Sequence, residues 1–169
     1  IYLVSGNATI GDSIGNRIGS TTSTDNIIIT MTGFTGSSTN THAFGIYSYA
    51  SNSYAMCKNN SIGGIKFTAT TNSYPLAFYG IYLMTTAADY ISNNTVGSST
   101  VSNSIQLGSS VSTANHLFIG ILYNSGFSYT YINDNIVSNV LCYGAGTTDG
   151  YSYMGGIRVI GNQSETKNN

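Results

Sequence analysis

Charge is the scarcest thing in this sequence: 169 residues hold five Lys and Arg and six Asp and Glu, 7% in all, where about a quarter is usual. With so few cations and a net charge of -1, there is no electrostatic footprint for a phosphate backbone, and nucleic acid is excluded as a partner. Apolar runs are short as well. None approaches the roughly 20 residues that span a bilayer, so no membrane span is expected. Clustered acids are missing too. Asp12, Asp25, Asp89, Asp134, Asp149 and Glu165 fall in different parts of the chain, whereas polysaccharide-cleaving chemistry and Ca²⁺ binding need several carboxylates in one place. The expectation is a non-enzyme without catalytic residues, cofactors or a metal site.

What is present points to folded β-structure. Hydrophobic residues make up 41%, which removes the disorder signature of low hydrophobicity with high charge. Solubility is carried by Ser, Thr and Asn, residues that suit strands joined by polar turns far better than helices. The length fits one domain over residues 1–169. Ile1-Tyr2-Leu3-Val4 shows neither a start Met nor a basic leader, and the chain is read as a mature or internal piece of something longer.

A phrase recurs along the chain. Cys57-Lys58-Asn59-Asn60-Ser61-Ile62-Gly63, Ile91-Ser92-Asn93-Asn94-Thr95-Val96-Gly97 and Ile132-Asn133-Asp134-Asn135-Ile136-Val137-Ser138 align without gaps. A second marker, Gly-Ile, stands at Gly45, Gly80, Gly120 and Gly156, at intervals of 35, 40 and 36 residues. Periods of 20 to 50 residues mean stacked repeats. Ile18 to Ile29 aligns on Val96 to Leu107, and both carry a long polar turn; Ile62 to Phe67 aligns on Val137 to Cys142 with a short one. Long-turn and short-turn units therefore alternate, and the full period is a pair of about 75 to 78 residues. Three strands are expected per unit, at Gly-Ile, at the Asn-Asn phrase and after the turn.

Strand alternation assigns Phe44 and Ile46, Tyr79 and Ile81, and Ile119 and Ile121 to the interior, with Tyr47, Tyr82, Leu122 and Arg158 outside. Ile27 and Ile29, Ile65 and Phe67, Ile105 and Leu107, and Val140 and Cys142 form further inward columns, while Lys66 and Gln106 face out.

These Gly-Ile-Tyr, Ile-Ser-Asn-Asn-Thr-Val-Gly and Gly-Ser-Ser-Thr phrases resemble the right-handed parallel β-helix repeats of very large secreted bacterial surface proteins of the type exported through the type IX system. The resemblance covers Ile10 to about Gly161. It implies an all-β solenoid of about four to five coils with three short strands each and an extracellular or cell-surface location. Thr35 to Ala43 and Ser109 to Leu117 stand outside the pattern as polar excursions, and Thr166 to Asn169 matches nothing in it. Such scaffolds serve adhesins, filaments and polysaccharide-active enzymes alike, so fold does not fix function.

Candidate residues are few. Asn59, Asn93 and Asp134 share a column and are expected to form a structural hydrogen-bonding ladder. Tyr2, Tyr47 and Tyr82 form an outward aromatic column suited to sugar rings or to another chain. His42 and His116, two units apart, are too distant to share an ion and are expected to be exposed loop residues. Cys57 and Cys142 lie in different columns and read as buried free thiols. Four Asn-x-Ser/Thr matches, at Asn7, Asn59, Asn93 and Asn162, arise readily by chance in so polar a sequence. The leading function is a structural or adhesive module of a stalk or filament, whose partners are further coils or identical copies stacked end to end. The alternative is carbohydrate recognition, as a binding segment or the remnant of a polysaccharide-active enzyme, with surface glycans as partners. Ice binding is disfavoured because the Thr-x-Thr pairs do not recur in register.

Overall fold

A computed structural model describes residues 1–3, 7–32, 41–50, 54–71, 73–86, 88–124, 129–144, 152–161 and 163–169. Much of the Thr35 to Ala43 excursion lies outside this set, as does Asp149. The described residues contain strands and turns with no helix. In order the strands are β1 (Tyr2–Leu3), β2 (Ala8–Ile10), β3 (Arg17–Gly19), β4 (Ile27–Met31), β5 (Thr41–Ala50), β6 (Ala55–Lys58), β7 (Ser61–Gly63), β8 (Ile65–Ala69), β9 (Leu76–Thr85), β10 (Asp89–Ser92), β11 (Thr95–Gly97), β12 (Ile105–Leu107), β13 (Leu117–Asn124), β14 (Tyr129–Asn133), β15 (Ile136–Ser138), β16 (Val140–Cys142), β17 (Tyr153–Ile160) and β18 (Gln163–Lys167). They are dealt in turn to four parallel sheets, β1-β5-β9-β13-β17, β2-β6-β10-β14-β18, β3-β7-β11-β15 and β4-β8-β12-β16. Each strand thus pairs with the one four places on.

A unit therefore has four strands where three were expected. The extra one arises inside the Asn-Asn phrase, which is broken by a left-handed residue: Asn59, Asn93 and Asp134 have φ of 58°, 56° and 56°. Asn and Asp tolerate this conformation better than other residues with a Cβ, and the chain turns there from the second sheet into the third.

Like stacks on like in the interior. Ile27, Ile65, Ile105 and Val140 are register partners, as are Ile29, Phe67, Leu107 and Cys142, while Ile28, Lys66, Gln106 and Leu141 run between them. Cys57, Ile91 and Ile132 align in the second sheet, and Ile62, Val96 and Val137 in the third. All four sheets feed one apolar core. Each fully buried aliphatic contributes about 1.5–3 kcal/mol, which compensates for strands of only three residues.

The Gly-Ile strands depart from simple alternation. Phe78 and Ile81 are both in the core, three residues apart, as are Phe118 and Ile121; the regular pairing of β5, β9 and β13 skips Gly45, Gly80 and Gly120. At each of these the backbone bends and the pattern changes phase. A Cβ on Gly80 would lie 2.5 Å from Val96 Cγ1, and one on Gly45 2.9 Å from Ile62 Cδ1, so the glycine lets the first sheet close onto the third. Phe44, Tyr79 and Ile119, assigned inward from alternation alone, are consequently on the opposite face, in a separate cluster with Tyr82 and Leu122.

The alternation of turns has a packing reason. The long turns after β3 and β11 are folded by Ser20 and Ser98, whose hydroxyls accept the N–H groups of Thr22 (3.1 Å) and Thr100 (3.1 Å). Ser98 Oγ also donates to the carbonyl of Thr21, two units away. The long turns meet over the short Gly63-Gly64 turn between them, where a Cβ on Gly64 would sit 2.6 Å from Asn26 Oδ1.

Thr166 to Asn169, expected to match nothing in the repeat, is a further copy of it. Thr166 and Lys167 pair with Ile132 and Asn133, Asn168 takes φ 51°, and Asn169 bonds Asn135. Thr166 in place of the apolar residue concealed the match.

Candidate functional site

The buried polar ladder runs one residue after the predicted column. Asn59, Asn93 and Asp134 supply the left-handed corners. Their side chains point away from the core, where Asn59 donates to the Asp12 carbonyl and Asn168 donates to Asp134 Oδ1 at 3.0 Å. The residue after a left-handed corner turns inward, so Asn60, Asn94 and Asn135 are buried, each 1% exposed or less. Nδ2 of Asn16, Asn60, Asn94 and Asn135 donates in succession to Oδ1 of Asn60, Asn94, Asn135 and Asn169 at 2.9 to 3.0 Å. Each Oδ1 also accepts the backbone N–H of the preceding Asn. The sequence does hold the signal: the second Asn is present in all three clear copies, while the first is replaced by Asp in one.

Tyr2, Tyr47 and Tyr82 are register partners on the outer face of the first sheet, as predicted from alternation. Tyr2 and Tyr47 stack at 5.0 Å and 10°, and Tyr47 meets Tyr82 edge-on at 5.3 Å. The bend at each Gly adds a second outward residue three places earlier, so Phe44 packs on Tyr47 at 4.9 Å and Tyr79 on Tyr82 at 5.4 Å. Phe44 and Tyr79 stack at 5.3 Å. Burial, then the neighbouring Tyr2 and Tyr82, raise the Tyr47 phenol above its usual range. Tyr2 is 69% exposed, whereas Tyr79 is 9%; most of this cluster is packed ring on ring.

A second aromatic strip on the outer face of the second sheet escaped the sequence reading. Met56, Tyr90, Tyr131 and Glu165 are register partners. Tyr90 stacks on Tyr131 at 5.0 Å and 8°, Tyr129 packs on Tyr131 at 4.9 Å, and Lys58 Nζ lies 5.7 Å from the centre of the Tyr90 ring. The position just before the inward Cys57, Ile91 and Ile132 was the available clue.

Several titratable groups are turned toward the interior. Cys57 is fully buried, and burial pushes its thiol up to about 12; Asn60 Nδ2 donates to its sulfur at 3.3 Å. Cys142 is half-buried with its thiol up to about 11. Asp89 is fully buried where the first sheet turns into the second; Oδ1 accepts the Ala55 N–H at 2.6 Å and Oδ2 contacts Thr85 Oγ1. Burial raises its carboxyl above the ordinary range, against the opposing effect of these bonds. Tyr123 Oη is near enough to favour the charged form but has no hydrogen bond of good geometry.

His116 is 3% exposed and not a loop residue in solvent, whereas His42 is exposed against Phe44 and Tyr79. His116 Nδ1 accepts the Leu76 N–H at 3.2 Å, so the ring proton resides on Nε2 and donates to Ser112 Oγ at 2.7 Å. Burial lowers its pKa. This wiring is the reverse of a nucleophilic Ser–His pair, in which Nε2 must accept the serine proton. Among the described residues no three His, Cys, Asp or Glu side chains converge on one point. Comparison with protein-family models, curated proteins and solved structures finds no match to this chain.

Proposed function

We propose that the chain is a length of right-handed parallel β-helix from a large secreted bacterial surface protein, of the type exported through the type IX system, and that it serves as a non-catalytic structural or adhesive module. The observation that carries this reading is the stacking of apolar residues on apolar residues in register across four parallel sheets, bound by the Asn ladder. Sequence invested in repetition supplies length and stiffness and leaves few positions for chemistry. The inert thiols and the orientation of His116 agree with it. Natural partners are further coils of the same kind, in the parent protein or in copies stacked end to end. Immunogold labelling of intact source cells with antibody to this segment tests the reading: label on the outer surface is expected, and label confined to the cell interior would refute it.

A second reading, glycan recognition, is favoured by the two outward aromatic strips, since Tyr combines an apolar ring with a polar tip. Glycan-array binding of the purified chain tests it, and a blank array counts against it.

A further inference from the structure

We propose that the groove over Ala88, on the outer face of β6 and β10, binds a sugar ring of an acidic glycan, stacked on Tyr90 with its carboxylate toward Lys58. The inference rests on the glycan reading and gives it a location and a charge preference.

The groove, about 470 Å³, is lined by Tyr54, Met56, Ala88 and Tyr90. One of the four described lining residues, Ala88, is small. Tyr54, Ala88 and Tyr129 each stand two places before the register partners Met56, Tyr90 and Tyr131, so they form an aromatic column with its middle ring missing. Tyr54 and Tyr129 are 40% and 38% exposed. Two rungs at about 4.8 Å leave some 10 Å between them, and the neighbouring column shows what such a rung accepts: Tyr90 and Tyr131 stack at 5.0 Å. A six-membered ring over Ala88 would restore that spacing.

The chemistry of the walls selects the ring. Tyr131 covers one face of Tyr90; the other face is turned toward Met56 and Lys58, whose ammonium stands 5.7 Å from the ring centre. Lys58 has no ion pair with a described residue. Incoming apolar C–H groups would take the face of Tyr90, and the displaced ammonium would meet an anionic substituent at the edge of the groove. Phenol hydroxyls and the nearby Ser92 offer partners for ring hydroxyls. A purely apolar aromatic side chain would leave this polar rim unused.

Calorimetric titration of the whole chain with short oligogalacturonates, and with neutral cello-oligosaccharides of equal length, tests the proposal. The acidic ligand is expected to bind about tenfold more tightly, as one charge-assisted contact would give, with the preference shrinking as salt is raised. Ala88→Phe fills the missing rung from the exposed side and should weaken both ligands at least about tenfold, and Lys58→Gln should abolish only the acidic preference. Thermal unfolding verifies that each variant is folded; Tyr90→Ala replaces Ala88→Phe if the latter is not. Glycan binding that these substitutions leave unchanged would keep the glycan reading and overturn this site. Absence of binding would overturn both. Association of two copies through this face, seen by sedimentation and lost in Ala88→Phe, would overturn the glycan assignment in favour of self-assembly.

Discussion

Replacing Asn94 by Ala is the most informative single perturbation of this fold. Its side chain donates to the Cys57 carbonyl at 2.8 Å and to Asn135 Oδ1 at 2.9 Å, and accepts from the backbone N–H and Nδ2 of Asn60 at 3.0 and 2.9 Å. Four bonds at about 1 kcal/mol each set the scale, and the buried Asn60 N–H is left without its acceptor at about 1–3 kcal/mol. Asn135 and the Asn60 amide keep other partners, which offsets part of the loss. The expected cost is about 3–5 kcal/mol, a large share of the 5–15 kcal/mol that holds a typical domain. Asn16→Ala, which removes one described side-chain bond to Asn60, should cost about 1 kcal/mol. Asn93→Gly should be close to neutral, because Asn93 is exposed at a left-handed φ of 56° that Gly adopts freely. Urea unfolding followed by far-UV circular dichroism measures all three. If Asn94→Ala and Asn93→Gly shift the midpoint equally, or if Asn94→Ala costs under about 1 kcal/mol, the ladder is not what secures the corner.

Gly80→Ala should destabilise by about 1–3 kcal/mol through overpacking, because its Cβ would lie 2.5 Å from both Val96 Cγ1 and the Gly120 carbonyl; partial rescue by Val96→Ala in the same melts confirms the contact. Asp89 and His116 should give opposite pH dependences. The Asp89 carboxyl is raised from 3.8 by burial, so its contribution is complete below about that pH and is lost as pH rises through the folded value. The His116 imidazole is lowered from 6.5, so its contribution is complete above that pH and is lost as pH falls through the folded value. Asp89→Asn should therefore raise stability at pH 7 and flatten the fall in stability that begins as pH rises above about 3.8, and an unchanged profile would refute the assignment. Cys57 should resist thiol reagents until the chain unfolds, and rapid labelling without denaturant would contradict its place in the core. Incubation with pectin or alginate, with or without Ca²⁺, should release no unsaturated or reducing ends.

Most of the architecture was legible because it is periodic. The columns of Ile65 with Ile105, Phe67 with Leu107 and Ile62 with Val96 follow from aligning units and applying strand alternation. What stayed hidden were departures from alternation. A left-handed Asn59 adds a strand and moves the buried amide to Asn60; a bend at Gly80 brings Tyr79 to the outside. Both are backbone dihedral events at residues with several allowed conformations, and apolar spacing carries no record of them. The burial of Asp89 and His116 was equally silent, since neither residue type announces an interior position. The Ala88 groove is defined by what a column lacks, and a missing ring becomes visible only when its neighbours in space are known.

The Asn amides all point the same way. Each Nδ2 is held by a main-chain carbonyl, those of Ile10, Cys57, Ile91 and Ile132 for Asn60, Asn94, Asn135 and Asn169, and each accepting Oδ1 receives a main-chain N–H. None of these four amides can flip without breaking contacts on both sides, so the file behaves as a one-way wire of aligned dipoles in which every bond polarises the next. Its two ends are chemically distinct, one offering an acceptor and the other a donor. Any element that extends it must present the complementary group in the correct sense, so head-to-head joining would set donor against donor or acceptor against acceptor. The ladder that secures each corner thus has a sense as well as a position, with its donors facing one way along the stack and its acceptors the other.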